Sequence, residues 1–368
     1  MFQSSLLRKL LFPALLLAAL TQHSAAAPQP AYQLETVVAE IDSPWSMDFL
    51  PDGRALVTQL GGELRILDGD QLSAPVAGVP EVFYAGQGGL FDVLVDPGFM
   101  DNQTIYLSYA AGNSEANATT VARAILNGAA LSDVAVIYAA VPTKYAPLHY
   151  GGRMLWMDDG HLLLTTGDGF DFREKAQSTG NHFGKTIRIA TAATNADSQA
   201  PFSEAPLVWS IGHRNPQGLA SGADGTIYLH EHGPKGGDEV NVIVPGRNYG
   251  WPAITYGKDY NGANVSPFTA HPSMEQPIHT WTPSIAPSGL MVYQGNQFPA
   301  WRGDLFVGAL VDQEVRRLDL QNGKVVAEDA PFSEISERVR DIREGPDGSI
   351  YVLTDGPQGA IYRISAGA

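Results

Sequence analysis

One short pattern returns six times along the chain. An Asp-Gly turn, or a close relative of it, is followed by a run of β-branched and aromatic residues, which is the signature of a β-hairpin. The copies are separated by about 45–80 residues. Their turns begin at Pro51, Asp101, Asp158, Ala223, Trp301 and Pro346. A chain built from one repeated hairpin must stack its copies, because a single hairpin cannot bury its own apolar side chains.

The repeat predicts an all-β fold, a six-bladed β-propeller of four-stranded antiparallel blades. A barrel or a sandwich would not need six copies of one hairpin. The apolar segment from Tyr32 to Ile41 precedes the first copy, so we expect it to complete the last blade and close the ring. The small, polar stretch from Thr191 to Ala200 is typical of a loop insertion, and helical periodicity is almost absent.

The N-terminus has the features of an export signal. Arg8 and Lys9 precede an apolar run from Leu10 to Leu20, and small residues end at Ala27. That run is too short for a good membrane span, and no later run is long enough. We therefore predict a cleaved signal peptide at 1–27, with the cut favoured after Ala26. A single propeller domain at 28–368 would then be periplasmic or secreted, with no membrane span.

Charge and cysteine content exclude several classes of function. Without the predicted signal peptide the chain carries 21 basic and 39 acidic residues, a net charge of −18. Nucleic-acid binding is excluded, because phosphates require a basic surface. The chain has no cysteine, so it has no disulfides and no lipid-anchored cysteine.

The stretch from Trp209 to Pro252 has the highest density of side chains and turns that could bind a metal ion or a ligand. Gly233 and Pro234 form a turn whose carbonyls are available to a hard cation, and Glu231, Asp238 and Glu239 add carboxylates. Zinc is the alternative, since the histidines of this stretch are His213, His230 and His232. Their spacing matches no zinc motif and there is no cysteine, so calcium is favoured. A solvated acidic loop without metal is the other alternative.

A set of long motifs, in order along the chain, resembles one family. They are G-Q-G-G-L-F-D-V at 86–93, H-Y-G-G-R-M at 149–154, T-T-G-D at 165–168, G-N-H-F-G-K-T-I-R-I at 180–189, G-H-R-N-P-Q-G-L at 212–219, H-G-P-K-G-G-D-E-V-N at 232–241, N-Y-G-W-P at 248–252 and R-V-R-D at 338–341. The chain resembles the soluble sugar dehydrogenases that use pyrroloquinoline quinone (PQQ), and its closer match is their aldose sugar dehydrogenase branch. That family is a six-bladed propeller, in agreement with the repeat.

The resemblance implies an exported enzyme that oxidises aldose sugars at C1 to lactones by hydride transfer to PQQ. His149 matches the general base that takes the proton of the C1 hydroxyl. Arg214 matches the arginine beside the reacting quinone carbonyl, and Asn215 and Gln87 match further contacts of the cofactor and sugar. A sugar substrate and an external electron acceptor would be the partners, and the protein would be a monomer or homodimer.

The resemblance also implies two calcium sites and an anion clamp. Gly233 and Pro234 match the carbonyls that hold the calcium bound to the cofactor. Glu239 and the carbonyl of Tyr249 match a second, structural calcium site. Arg338 and Arg340 match the pair that binds the carboxylates of the cofactor; they alternate, so on a strand they share one face.

The chain departs from the family at one position of the cofactor site, where members of the family have a lysine that contacts the cofactor. Val311 stands there, which predicts weaker PQQ binding. Leu148 also replaces an acidic residue of some relatives beside the base, so sugar recognition differs.

Purely structural roles are the alternative for several of these residues. Asp168 and Asp171 are interpreted as turn caps, with metal binding as the alternative, and Trp251 and Trp281 either stack on sugar or pack between blades. Two other functions remain open. One is a calcium-dependent propeller lactonase, with an axial calcium held by carboxylate and Asn side chains. The other is a propeller binding protein that has lost PQQ.

Overall fold

The architecture is a ring of six antiparallel sheets with four strands each, which confirms the predicted six-bladed propeller. The computed structural model describes residues 30–191 and 200–367. The predicted signal peptide and most of the predicted insertion after Thr191 lie outside these residues. None of the described helices is long and apolar enough to cross a membrane.

The blades follow one another along the chain, except that the first strand belongs to the last blade. Blade 1 holds β2 to β5, blade 2 β6 to β9, blade 3 β10 to β13, blade 4 β14 to β17, blade 5 β18 to β21, and blade 6 β22 to β24 with β1. The strands are β1 Tyr32–Ile41, β2 Pro44–Phe49, β3 Ala55–Gln59, β4 Glu63–Asp68, β5 Gln71–Leu72, β6 Leu90–Val95, β7 Thr104–Gly112, β8 Asn117–Asn127, β9 Ala130–Ala139, β10 Gly151–Trp156, β11 Leu162–Thr166, β12 Lys185–Ile189, β13 Val208–Ile211, β14 Pro216–Ser221, β15 Ile227–Glu231, β16 Asp238–Ile243, β17 His279–Trp281, β18 Pro287–Val292, β19 Leu305–Ala309, β20 Glu314–Gln321, β21 Lys324–Asp329, β22 Val339–Glu344, β23 Ile350–Thr354 and β24 Gly359–Ala366. The helices are α1 Phe99–Asn102 and two 3₁₀ turns, Arg173–Gln177 and Pro299–Trp301.

Each copy of the sequence repeat forms the turn between the first and second strands of a blade. The same turn position has a positive φ in all six blades, which glycine adopts without strain. It is filled by Gly53, Gln103, Gly160, Gly225, Gly303 and Gly348. One local backbone requirement thus explains why the Asp-Gly pattern recurs.

The ring is closed by β1, which pairs antiparallel with β24 from Tyr32↔Ala366 to Ile41↔Gly359. This confirms that the segment before the first repeat completes the last blade. Joining the first and last described strands in one sheet closes the ring, and β1 covers the edge of β24 that would otherwise be open to unwanted strand pairing.

Seven apolar clusters make up the core of the described residues, and six of them lie one at each junction between neighbouring blades. Because both faces of a blade are covered, β3, β11 and β12 are buried at every residue instead of alternating. At the closing junction, Leu353 and Ile361 of blade 6 pack with Met47 and Val57 of blade 1. Closure therefore depends on side-chain packing as well as on the β1–β24 ladder.

Truncating this closing junction should destabilise the whole ring. Ile361 is fully buried there, so we expect Ile361→Ala to lower the free energy of unfolding by about 2–5 kcal/mol. Urea titration followed by tryptophan fluorescence measures it. The matched control is Val326→Ala on β21, where the side chain is 53% exposed. Equal effects of the two changes would show that the junction does not hold the ring together.

Candidate active site

The predicted site residues collect at one mouth of the central channel. The innermost strands β2, β6, β10, β14, β18 and β22 neighbour one another around the channel. His149 lies two residues before β10, Arg214 and Asn215 directly precede β14, and Arg338 directly precedes β22. All innermost strands begin at the same face, so residues distant in sequence meet there. Gln87 reaches the same group, since its side-chain Oε1 accepts a hydrogen bond from the His149 N–H at 2.7 Å.

His149 forms a buried pair with Asp168. The distance from His149 Nδ1 to Asp168 Oδ1 is 2.7 Å, and both side chains are almost fully buried. His149 has a φ of 51°, a left-handed backbone that non-glycine residues rarely adopt and that favours a functional role. With Nδ1 held by the carboxylate, Nε2 has no hydrogen-bond partner among the described residues. This fixes the tautomer in which Nε2 accepts a proton.

The environment keeps His149 neutral and Asp168 ionised. Burial lowers the pKa of His149 below its ordinary value, although the hydrogen bond to Asp168 opposes this. Burial alone would raise the pKa of Asp168, but the hydrogen bond and charge of His149, with the charge of Arg214, hold it below its usual range. A neutral imidazole beside a carboxylate is the state that general-base catalysis requires near pH 7.

Asp168 also has ties to the neighbouring blade. Its backbone N–H donates to the carbonyl of Arg214 at 2.7 Å, and Oδ1 accepts the Phe170 N–H at 2.8 Å. Oδ2 accepts the indole N–H of Trp251 at 2.7 Å. Asp168 does cap a turn, as the sequence suggested, but that interpretation missed its contacts with His149 and Trp251.

A cavity of about 290 Å³ opens beside this pair. His149, Asp168 and Arg214 line it, together with Pro234 and Trp251. The remaining lining residues are Phe170, Asp171, Arg173, Asp259, Tyr260 and Val265. The cavity is of the size that holds a small polar molecule and combines aromatic rings with charged groups.

Arg214 lies between the cavity and the predicted calcium loop. Its guanidinium donates to the carbonyls of His232 at 3.1 Å and Gly233 at 2.7 Å, and to the Tyr260 hydroxyl at 3.2 Å. The group also lies over the Trp251 ring at 5.3 Å. The Gly233-Pro234 turn predicts a Gly233 carbonyl that is available to a cation. In the structure Arg214 engages it.

The second predicted calcium site surrounds a cavity of about 10 Å³. Glu239 and Tyr249 line it, and so does Glu231. Glu231 and Glu239 stand opposite each other on β15 and β16. Burial and the charge of Glu231 raise the pKa of Glu239 well above its ordinary value. Two like charges opposed in a ladder are unfavourable unless a cation joins them.

The three histidines considered for zinc do not converge. His213 Nδ1 lies 2.8 Å from Glu231 Oε1 and its Nε2 lies 2.8 Å from Ser210. His230 bonds the carbonyl of Gly289, and His232 that of Pro287. The described residues hold no group of three or more His, Cys, Asp or Glu side chains that could bind a metal ion. A cation beside Glu239 would therefore need backbone carbonyls among its ligands.

Arg338 and Arg340 share a partner that the sequence analysis did not identify. Both guanidinium groups bond Asp355, at 3.1 Å and 2.8 Å. Arg338 also donates to the carbonyl of Leu310 at 3.0 Å, which places it beside Val311. The Val311 side chain is 57% exposed there. The common partner shows that the two arginines act on the same side of their strand.

Asn215 is buried and structurally engaged. Its side-chain Oδ1 accepts hydrogen bonds from the Gly151 N–H and the Gln217 amide, at 3.4 Å and 3.3 Å. It thereby bridges β10 and β14, the innermost strands that follow His149 and Arg214.

Comparison with known proteins gives a family assignment. The family model "Glucose / Sorbosone dehydrogenase" matches residues 41–363. The chain belongs to this family. Membership confirms the resemblance seen in the motifs and the prediction that the chain is an oxidoreductase enzyme.

Individual members of the glucose/sorbosone dehydrogenase family are similar over almost their whole length. Aldose sugar dehydrogenase YliI of Escherichia coli is 35% identical, over 92% of this chain and 94% of that protein. Quinoprotein glucose dehydrogenase B of Acinetobacter calcoaceticus is 25% identical, over 90% and 87%. The apo form of the soluble aldose sugar dehydrogenase of E. coli superimposes with a TM-score of 0.86, at 36% identity, covering 92% of this chain and all of that one.

Proposed function

We propose that this protein is an exported, PQQ- and calcium-dependent aldose sugar dehydrogenase that oxidises the C1 hydroxyl of sugars to lactones. The observation that carries the proposal is the His149–Asp168 pair facing a cavity that Arg214 also lines. Related proteins carry the names aldose sugar dehydrogenase and quinoprotein glucose dehydrogenase. Electrons would leave to an external acceptor.

His149 would act as the base. Oxidation at C1 removes a proton from the hydroxyl and a hydride from the carbon. Nε2 of His149 would take that proton, and the resulting imidazolium would be stabilised by the Asp168 carboxylate. Bound PQQ would supply the two-electron acceptor for the hydride. Arg214 would place a fixed positive charge where negative charge develops.

The side chains at the channel mouth fit an anionic cofactor. Arg214, Arg338 and Arg340 offer guanidinium groups, whose planar fork suits carboxylates. The Arg338 side chain is nearly half exposed, so it can accept a further anion beside Asp355. These residues would hold the carboxylates of PQQ.

A calcium ion fits the small cavity beside Glu239. Glu231, Glu239 and the nearby Tyr249 backbone would supply oxygen ligands, and the ion would neutralise the two opposed carboxylates. A calcium bound with the cofactor at Gly233 and Pro234 would share the Gly233 carbonyl with the Arg214 guanidinium or displace it.

The lactonase alternative is less well supported. It requires free carboxylates on the channel axis. Asp92 and Asp341, on two innermost strands, are instead paired with Arg343 and Arg153, at 2.8 Å and 2.9 Å. Adding PQQ and calcium to purified protein and following quinone absorbance with an aldose separates the dehydrogenase from a lactonase and from a non-catalytic propeller.

Removing the base should abolish turnover but spare cofactor binding. We expect His149→Ala to lower kcat at least about 100-fold, because a positioned base contributes about 10²–10⁴ in rate. Dye reduction with excess aldose, PQQ and calcium measures kcat, and fluorescence titration measures PQQ affinity. The control is His271→Ala, an exposed histidine. Near-wild-type kcat in His149→Ala would exclude it as the base, and lost PQQ binding would make it a structural residue.

Placing a lysine at position 311, where the family has one, should tighten PQQ binding. Position 311 is exposed beside Arg338, so Val311→Lys should lower the Kd for PQQ about tenfold through a charge-assisted contact. Fluorescence quenching by PQQ measures Kd. Val311→Met, similar in length but uncharged, is the control. If Val311→Lys and Val311→Met give the same Kd, a positive charge at position 311 has no role in PQQ binding.

Neutralising Glu239 should have opposite effects with and without calcium. A ligand that binds the folded state alone raises Tm, so wild type should gain stability from calcium and Glu239→Gln should lose that gain. In chelator, Glu239→Gln should melt no lower than wild type, because burial and the charge of Glu231 raise the pKa of Glu239 and make its ionised form a cost to the folded state that the neutral amide avoids. Differential scanning fluorimetry tests both, with exposed Glu81→Gln as control. Equal calcium gains in all three proteins would place the ion elsewhere.

A further inference from the structure

Trp251 connects the N-Y-G-W-P loop of blade 4 to the base of blade 3. Its indole Nε1–H donates to Oδ2 of Asp168 at 2.7 Å, while Oδ1 of the same carboxylate lies 2.7 Å from His149 Nδ1. Among the described residues, Oδ2 has no other hydrogen-bond donor. The three side chains are all buried, so solvent does not replace a missing contact. The orientation of the carboxylate therefore depends on the indole.

The indole itself is fixed from several sides. The backbone N–H of Trp251 donates to the Gly212 carbonyl at 2.9 Å, and the backbone carbonyl of Trp251 accepts a hydrogen bond from the Gln177 side-chain amide at 2.7 Å. The Arg214 guanidinium covers its ring. A side chain held at both its backbone and its ring can transmit a fixed position to the group it bonds.

We propose that Trp251 is a positioning residue for the reaction: through Asp168 it sets both the alignment and the basicity of His149. This rests on the proposed function, in which His149 is the base. A rigid donor on Oδ2 stops the carboxylate from rotating away from the imidazole. It also shares the negative charge of the carboxylate, which limits how strongly Asp168 stabilises a protonated His149.

The remaining charges around the pair do not replace this contact. Arg214 and Lys144 act on His149 through their charge, and Lys144, Lys185 and Arg214 act on Asp168. Burial lowers the pKa of the nearby His232 to about 3, so that imidazole is neutral. The Lys144 and Lys185 ammonium groups donate to backbone carbonyls. The groups with a direct hydrogen bond to the carboxylate are His149, Phe170 and Trp251. Of these, Trp251 can be changed without touching the base or the main chain.

The kinetic test replaces the donor and keeps an aromatic ring. Trp251→Phe should lower kcat about 10- to 100-fold through misalignment, with the KM for sugar nearly unchanged. The acid limb of its kcat/KM profile should move to higher pH by roughly half a unit or more, because an unshared carboxylate holds the imidazolium more strongly. The control is Trp156→Phe, which loses an indole bond to the Val95 carbonyl at the other end of β10.

A purely structural role for Trp251 gives a different result. Trp251→Phe would then lower Tm and active fraction but leave the pH profile of the remaining activity in place. An unmoved acid limb together with an unchanged kcat per active site would overturn the proposal.

An NMR measurement tests the same link without activity. The chain has six tryptophans, so ¹⁵N-labelled indoles give six resolvable signals in the wild-type protein. One of them should titrate with the His149 imidazole, and this titration should vanish in His149→Asn. If no indole signal follows His149, the proposal is wrong, even where Trp251→Phe does not fold. If the indole follows His149 but the protein oxidises no aldose, the proposed function fails and the Trp251 link stands.

Discussion

The structure depends on one topological constraint: the chain enters every blade by its innermost strand, always from the same face of the ring. Six successive blades obeying this rule put six strand starts around one channel mouth. A residue just before such a strand is held by the ladder that follows it, yet it is not itself paired. His149, Arg214 and Arg338 occupy such positions before β10, β14 and β22. The ring therefore assembles a site from segments far apart in sequence without needing any long helix or a second domain.

The innermost strands that form this arrangement also carry charged side chains, which lie buried or partly buried along the channel. Arg153 of blade 3 pairs with Asp341 of blade 6 at 2.9 Å, and Arg343 of blade 6 pairs with Asp92 of blade 2 at 2.8 Å. The Arg153 guanidinium also lies 4.0 Å from the ring centre of Trp45 in blade 1. Each charge has a partner of opposite sign, as burial requires. Arg343 also pairs with Asp341 of its own strand at 2.8 Å. The two pairs that cross between blades join blade 3 to blade 6 and blade 6 to blade 2.

The repeat was readable from sequence because it reflects local physics. The positive φ of one turn residue recurs in every blade, so the Asp-Gly pattern could be counted, and the apolar segment Tyr32–Ile41 could be assigned to the closing strand. Site roles came instead from whole motifs. Neither the repeat nor the motifs identify the side-chain partners: Trp251 bonds Asp168 across blades, 83 residues away, and Asp355, directly after β23, bonds both Arg338 and Arg340 within blade 6. Asp168 was interpreted as a turn cap because its local sequence supports that role, and only the packed structure adds the other.

Contacts between blades 3 and 4 connect His149 to Arg214 through Asp168. Asp168 follows β11 directly after Gly167, and it reaches both neighbours at once. Its side chain holds His149, and its backbone N–H donates to the carbonyl of Arg214 at 2.7 Å. This bond joins the arginine at the start of blade 4 to the carboxylate that holds the base in blade 3, which supports their mutual geometry. Glu231 extends the same chain of contacts, since its carboxylate accepts the backbone N–H of Arg214 and also lines the cavity beside Glu239. A cation held there would be linked to the base through the Glu231 carboxylate, the backbone of Arg214 and Asp168, and the Asp168 side chain, all of which are buried.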